Sequence, residues 1–367
     1  MYVEQLRWRL AIPCSKPIHL PLTHFAFLQE GVFLAKMIKL YKCNHTIMKK
    51  GLLRMTKNNS SIPENEFSAL LMSENEQIEL LNKLNKNKGI IEKDSKKYFD
   101  DDAEKNIITS YYKTINFDQL KPNELFKALH SLIENTHKPV IYDPTKYLYT
   151  WVDLQEDGNL KSIYSGTIRN PEDVIAEDFK ILTKRKNELD SLLANQSLTE
   201  NELKTQKKRI EENNKLNCEH VVPQSWFNKQ EPMRGDLHHL FACEPSCNSL
   251  RSNYPYHDFS DYEGSKVLNI IRQECGKLEE SLFEPEYAKG IVARATLYFL
   301  LRYPDKIAND KEKNIDIELL LKWHEEFPVS IYERHRNQSI QDTQGNRNPL
   351  VDFPNYARKI DFSLSSS

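Results

Sequence analysis

The chain has 367 residues, 39% of them hydrophobic and 28% charged, with a formal net charge of −2 and six cysteines. This is enough apolar material for one large core or two modest ones, and it excludes a collagen-like or wholly disordered chain. Six cysteines are too few for a disulfide-built scaffold, and the near-neutral balance lacks the basic excess usual in proteins that bind nucleic acid by counterion release.

Residues 1–50 hold broken apolar runs, the longest around Ile18–Leu40, which Pro21, His24, Gln29, Glu30 and Lys36 interrupt. That makes a poor membrane span, and it lies too far from the terminus for a clean export signal. Residues 50–105 are rich in Lys, Asn, Glu and Ser, with one helical piece around Glu66–Leu84. Residues 1–105 therefore read as an extension and linker without chemistry, 106–362 as the working domain, and 363–367 as a frayed tail. In that domain Pro122, Asn123 and Glu124 precede apolar residues at Leu125, Phe126, Leu129, Leu132 and Ile133, which predicts an amphipathic helix. His130 on this helix reads as a packed residue. Tyr142, Tyr147, Tyr149, Trp151, Val152, Ile163 and Tyr164 flank a turn at Glu156–Asn159, which predicts a hairpin with aromatic faces. Core packing is the expected role of most of these rings, with base stacking as the alternative. Residues 171–214 predict an antiparallel helical pair broken near Asn195–Ser197, with Thr199 and Glu202 as a capping box for its second arm. Its lysines, Lys184, Lys186, Lys204, Lys207 and Lys208, read as a solvated face, with contact to a DNA backbone as the alternative.

Chemistry concentrates in residues 217–256. Glu219 and His220 precede Val221 and Val222 on a short predicted strand that Pro223 ends. A polar loop follows, then a second run from Leu237 to Ala242 with Asp236, His238 and His239 at its start. Pro245 and Ser246 open a helix carrying Asn248 and Arg251. The order strand, loop, strand, helix suits metal-assisted hydrolysis of a phosphodiester. A hard cation such as Mg²⁺ takes oxygen ligands, and Glu219 and Asn248 offer two without filling its shell. A neutral imidazole at His220 can take a proton from an attacking water. Arg234 and Arg251 are available to clamp phosphate oxygens. Because neighbours on a strand point to opposite faces, at most one of His238 and His239 can face such a site. Asp236 is placed to orient an imidazole or to start the strand. Cys218, Cys243, Cys247 and Cys275 allow a structural Zn²⁺ site, one disulfide, or free thiols. No helical H-E-x-x-H motif is present, which sets a zinc peptidase aside.

Beyond the centre, Gly290–Tyr303 predicts an apolar helix in which Arg294 needs an anionic partner, either a structural carboxylate or the scissile phosphate. Two further helices are predicted over Ile317–Trp323 and Val329–Ile340, followed by a turn at Gly345–Pro349.

NCEHVVPQSWF, PMRGDLHHLFACE and CNSLRSNYPY resemble the endonuclease I family, metal-dependent nucleases of the ββα-metal (His-Me finger) group. The likeness extends to residues 141–166, 283–304 and 320–354, and so covers about 110–360 in order. It implies an α+β fold, mostly helical, built around a small ββα-metal unit at 217–256. It further implies Glu219 and Asn248 as metal ligands and His220 as general base. Some members carry a phosphate-binding arginine in a longer, cysteine-rich loop. This chain has the short loop, which leaves Arg234 as the candidate for that role.

The expectation is a largely sequence-nonspecific endonuclease acting on DNA, with RNA as a further substrate, using Mg²⁺ or alternatively Mn²⁺ or Ca²⁺. A non-catalytic nucleic-acid-binding protein of the same fold would be expected to be basic and to lack one of Glu219, His220 and Asn248. The resemblance points outside the cytoplasm, and neither a membrane nor an obligate protein partner is expected.

Overall fold

Capping and amphipathic spacing account for most of the helices, and helices dominate the chain. The computed structural model describes residues 74–194, 198–262 and 274–366, all within the second of two units, Met1–Pro63 and Glu64–Ser367. The apolar run at 18–40 and the break at 195–197 lie outside the described residues. The main helices are α1 (Glu74–Lys93), α2 (Asp101–Tyr111), α3 (Pro122–Thr136), α4 (Pro171–Ala194), α5 (Glu200–Asn213), α6 (Pro245–Arg251), α7 (Lys289–Arg302), α8 (Ile317–Glu326) and α9 (Ile331–Gln344). Among the described residues three two-stranded antiparallel sheets join them: β1 (Leu160–Lys161) with β2 (Ile168–Arg169), β3 (Cys218–His220) with β4 (Leu240–Ala242), and β5 (Gly276–Glu279) with β6 (Leu282–Pro285). The architecture is α+β and predominantly helical.

The helix signals correspond to particular contacts. Glu124 accepts from the backbone N–H of Lys121 at the start of α3, and Leu125, Phe126, Leu129 and Ile133 form its buried face. Thr199 and Glu202 form the expected reciprocal cap of α5, and Ser330 and Glu333 form another at α9. Gly345 ends α9 at φ +85°, where an added Cβ would lie 2.5 Å from Thr136 O. Glycine is needed there both for the left-handed backbone and for the close approach.

Residues 74–105 differ from the linker expectation. Leu84 and Ile91 of α1, with Tyr98 and Phe99 after it, are buried in one of two apolar clusters. Tyr98 stacks on His335 at 3.9 Å between ring centroids and donates to Leu154 O at 2.8 Å. Glu104 is buried beside Arg347, 2.9 Å away. Residues 74–105 thus pack within the same unit, Glu64–Ser367, as the other described residues. Polar composition concealed this, because a few apolar residues suffice to dock a helix whose other faces are solvated.

The expected aromatic hairpin is corrected as well. Asp143 caps a helical turn at Pro144–Tyr147 by accepting from Lys146 N–H, and a π-helical turn follows over Leu148–Val152. Tyr147, Tyr149 and Trp151 thus sit on helical backbone, and pairing begins only at β1. A strong local cap with proline behind it outweighed the β propensity of the aromatic residues.

β3 and β4 separate the two apolar clusters. Cys218, Leu240 and Ala242 belong to the cluster of α1, whereas Val221, Phe241 and Cys243 belong to the cluster of α3, α7 and α8. This division follows the two-residue alternation of the strands, with Cys218 opposite Ala242, Glu219 opposite Phe241 and His220 opposite Leu240.

Truncating the fully buried Leu84 to Ala should cost about 2–5 kcal/mol in urea unfolding. Ile78→Ala, at an exposed position of the same helix, should stay within about 0.5 kcal/mol. Equal, negligible effects would return α1 to the status of a linker.

Candidate active site

Strand β3 places Glu219 and His220 side by side in sequence and on different faces of the hairpin. Glu219 is 3% exposed. Tyr164 donates its hydroxyl proton to Glu219 Oε1 at 2.7 Å, and Arg251 Nη1 lies 3.3 Å from the same oxygen. Burial raises the Glu219 carboxyl to about 7 against the opposing pull of Arg251 and the Tyr164 hydrogen bond. Arg251 is itself 1% exposed; its Nη2 donates to Val221 O at 2.7 Å and its guanidinium lies over the Tyr256 ring. The expected phosphate clamp at this position is thus a buried partner of Glu219.

His220 Nε2 lies 3.0 Å from Arg234 O. A carbonyl oxygen only accepts, so Nε2 carries the proton and Nδ1 keeps its lone pair. Burial holds this imidazole well below the ordinary histidine value, assisted by His239 and by the nearby Arg234 charge. The Tyr142 ring lies 4.9 Å from His220, and the Arg234 guanidinium lies 5.0 Å from that same ring. Arg234 is half-buried, and its buried Nε has no hydrogen-bond partner among the described residues. Its loop is held closely: His239 Nε2 donates to Met233 O at 2.6 Å, and Glu231 accepts from Gly235 N–H at 3.0 Å.

Asn248 lies on α6, which packs on β3, and its Nδ2 donates to Cys218 O at 2.7 Å. That bond fixes which end of the amide is used and leaves Oδ1 without a hydrogen bond among the described residues. Helix α6 is also tied covalently, because Cys247 is disulfide-bonded to Cys275. Cys218 and Cys243 are free and buried in different clusters. The four-cysteine zinc arrangement is therefore corrected: two of its thiols are spent on the disulfide, and strand alternation sends the other two to opposite faces. No group of three or more His, Cys, Asp or Glu side chains is placed to hold a metal among the described residues.

The remaining sequence candidates lie elsewhere. His238 and His239 occupy a 3₁₀ turn, Leu237–His239, rather than the strand itself. His239 approaches His220 with ring centroids 5.4 Å apart, while His238 Nε2 meets Asn346 O and its ring packs on Tyr298. Asp236 orients no imidazole by hydrogen bond; it accepts from Tyr298, Tyr303, Gln344 and the His238 backbone. Arg294 is paired with both oxygens of Glu333, at 2.5 and 3.0 Å, and with the carbonyls of His324 and Phe327. Its anionic partner is thus a structural carboxylate. Sequence reasoning missed Tyr164 as a partner of Glu219 and Tyr142 as the ring between His220 and Arg234. Their only signal was that each is a tyrosine within the aromatic stretch.

Comparison with known proteins places these residues in a wider context. The chain is similar to an extracellular ribonuclease of Bacillus amyloliquefaciens, 33% identical over 160 residues, or 39% of this chain and 53% of the relative. It is similar to an extracellular deoxyribonuclease of Aeromonas hydrophila, 28% identical over 166 residues, or 40% of this chain and 70% of that one. A periplasmic deoxyribonuclease of Aeromonas hydrophila is 30% identical over 161 residues, or 38% of this chain and 63% of the relative. The match thus spans about half the length of the ribonuclease. Residues 122–355, well over half of the chain and including every strand and helix of the site, match the endonuclease I family, and the chain belongs to that family.

Proposed function

We propose that the chain is a divalent-metal-dependent endonuclease hydrolysing phosphodiester bonds of DNA, and of RNA, with little sequence selectivity. The observation that carries this reading is the His220 imidazole, whose Nε2 is committed to Arg234 O while its Nδ1 lone pair stays unprotonated. A buried imidazole pinned in that tautomer is a general base ready at neutral pH.

The donors fit a hard cation. Glu219 supplies a carboxylate whose burial disfavours its charge, which a cation would compensate. Asn248 supplies an amide oxygen, since its nitrogen is engaged by Cys218 O. Two protein oxygens are an ordinary complement for Mg²⁺, with Mn²⁺ or Ca²⁺ as alternatives, the remaining ligands coming from water and phosphate. When bound, such a cation supplies positive charge to the phosphate and the leaving oxygen. His220 Nδ1 then takes the proton of the attacking water. Arg234, with an unused Nε next to the base, holds a phosphate oxygen. Arg251 neutralises Glu219 from behind. The unit β3, β4 and α6 thereby acts as a ββα-metal (His-Me finger) centre.

Work outside the cytoplasm is the setting we infer. Relatives are named extracellular or periplasmic, and a disulfide suits an oxidising compartment. No described helix is long and apolar enough to cross a membrane.

Purified protein should nick supercoiled plasmid with Mg²⁺ or Mn²⁺ and stop in chelator; undiminished activity in chelator, or none with any metal, overturns the assignment. His220→Ala should lose about 10²–10⁴-fold in rate while still binding metal. Glu219→Ala and Asn248→Ala should weaken metal binding and recover part of their activity at higher metal concentration.

The pH profile follows from the lowered histidine value. His220 is protonated only below the ordinary range, so at saturating metal the activity should stay level from neutrality down to about pH 6.5, the ordinary value, and fall below it. That limb should be absent from the residual activity of His220→Ala. A limb centred above pH 7 in the wild type would assign the base elsewhere.

The two arginines should separate cleanly. Arg251→Met leaves Glu219 buried without its partner and should cost about 3 kcal/mol or more in stability. Arg234→Met should leave stability nearly unchanged and raise KM for nucleic acid. Equal stability losses in thermal melts would contradict this division.

A further inference from the structure

Tyr164 lies outside the roles assigned above, yet its hydroxyl is closer to Glu219 Oε1, at 2.7 Å, than Arg251 Nη1 is, at 3.3 Å. The residue is fully buried in the turn between β1 and β2. That turn is fixed on two sides: Ile163 N–H donates to Ala242 O at 3.0 Å, and Tyr164 O accepts from Tyr287 N–H at 2.8 Å. The ring meets the Phe283 ring in an edge contact at 5.1 Å, so the hydroxyl has little freedom to leave. Its single proton goes to the carboxylate, and its oxygen can then accept from Tyr256, whose hydroxyl is 2.9 Å away.

The arginine contact has a matching peculiarity. Guanidinium and carboxylate normally pair through two parallel hydrogen bonds. Here Arg251 Nη2 donates to Val221 O, and the closest approach of the guanidinium to the carboxylate is by Nη1, at 3.3 Å. The Tyr164 hydroxyl and the closest Arg251 nitrogen both meet Oε1; the His220 backbone N–H adds a hydrogen bond to the carboxyl group, and no side-chain hydrogen bond reaches Oε2 among the described residues. With the Tyr164 hydroxyl gone, Arg251 is free to draw in both oxygens.

We propose that Tyr164 is a positioning residue for the divalent cation, holding Glu219 Oε1 together with Arg251 so that Oε2 is the oxygen presented to the metal. This rests on the reading of Glu219 as a metal ligand. Groups that orient a metal ligand typically contribute about 10–100-fold to metal affinity, and Tyr164 is expected within that range.

The test is calorimetric titration of Mn²⁺ into full-length protein without nucleic acid, comparing wild type with Tyr164→Phe. Tyr164→Phe keeps the buried ring and removes only the hydroxyl. Its Mn²⁺ affinity should fall by about tenfold or more, and its nicking rate at saturating metal should return close to that of the wild type. Tyr256→Phe, one hydroxyl further back, should shift affinity in the same direction by less. Tyr112→Phe is the control, since it deletes another tyrosine–carboxylate bond, to Asp352 Oδ2 at 2.9 Å, far from the site in sequence. It should lower the melting temperature and leave Mn²⁺ affinity unchanged. The proposal is overturned if Tyr164→Phe binds Mn²⁺ within twofold of wild type while Glu219→Gln does not bind it. Wild-type affinity in Glu219→Gln overturns the metal assignment, and this proposal with it.

Discussion

Arg251 and Glu219 are two charges taken almost wholly out of water and set 3.3 Å apart. Such a pair repays its desolvation only when the remaining polar atoms are also satisfied. Around it the chain supplies a tyrosine hydroxyl for the carboxylate, the Val221 carbonyl for the second guanidinium nitrogen, and an aromatic face for the guanidinium plane, while the buried Nε has no hydrogen-bond partner among the described residues. These come from the β1–β2 turn, from the residue after β3 and from the segment after α6. Segments distant in sequence are thus assembled around one carboxylate. The neighbouring histidine obeys another constraint, for its ring and that of His239 donate to consecutive carbonyls of one loop, Arg234 O and Met233 O. His220 and the loop carrying Arg234 are consequently oriented by the same bonds.

The residues of the proposed centre were legible because they are close together in sequence. EH on a strand, then N and R on a helix that opens with proline, can be read without tertiary structure, and so can the capping pair Thr199 and Glu202. Features that depend on contacts across the fold were not legible. Arg294 announced that it needed an anion, but nothing local indicated that Glu333, 39 positions later, would provide it. Tyr164 looked like any core aromatic, since a hydroxyl pointing at a carboxylate leaves no trace in spacing. The polar character of residues 74–105 hid their docking because most of α1 faces solvent. At 140–152 the aromatic residues suggested strands, while Asp143 and Pro144 had already committed the backbone to a helical turn.

Ion pairs elsewhere in the fold show how the frame around the centre is held. Arg336 pairs with Asp153, donates to Leu237 O and Leu240 O, and lies over the Phe241 ring. Asp153 in turn accepts from the Ala242 backbone at 2.6 Å. A strand of three residues has little pairing of its own, and β4 is fastened by these side chains from α9 and from the turn after Val152. Buried polar groups thus take the place that long hydrogen-bonded ladders have in larger sheets.

The bond between Cys247 and Cys275 joins positions 28 apart in sequence, and it encloses Asn248, Arg251 and Tyr256 within a covalent ring. A ring has no end to fray from a single cut. If a protease severs any one peptide bond between those two cysteines, the product is a nicked molecule of unchanged polypeptide mass apart from one added water. Its two pieces migrate together until a reductant parts them. For a protein inferred to work outside the cytoplasm, this permits a scar in the segment beyond α6 while Cys247 and the residue beside it stay tethered to the body of the fold.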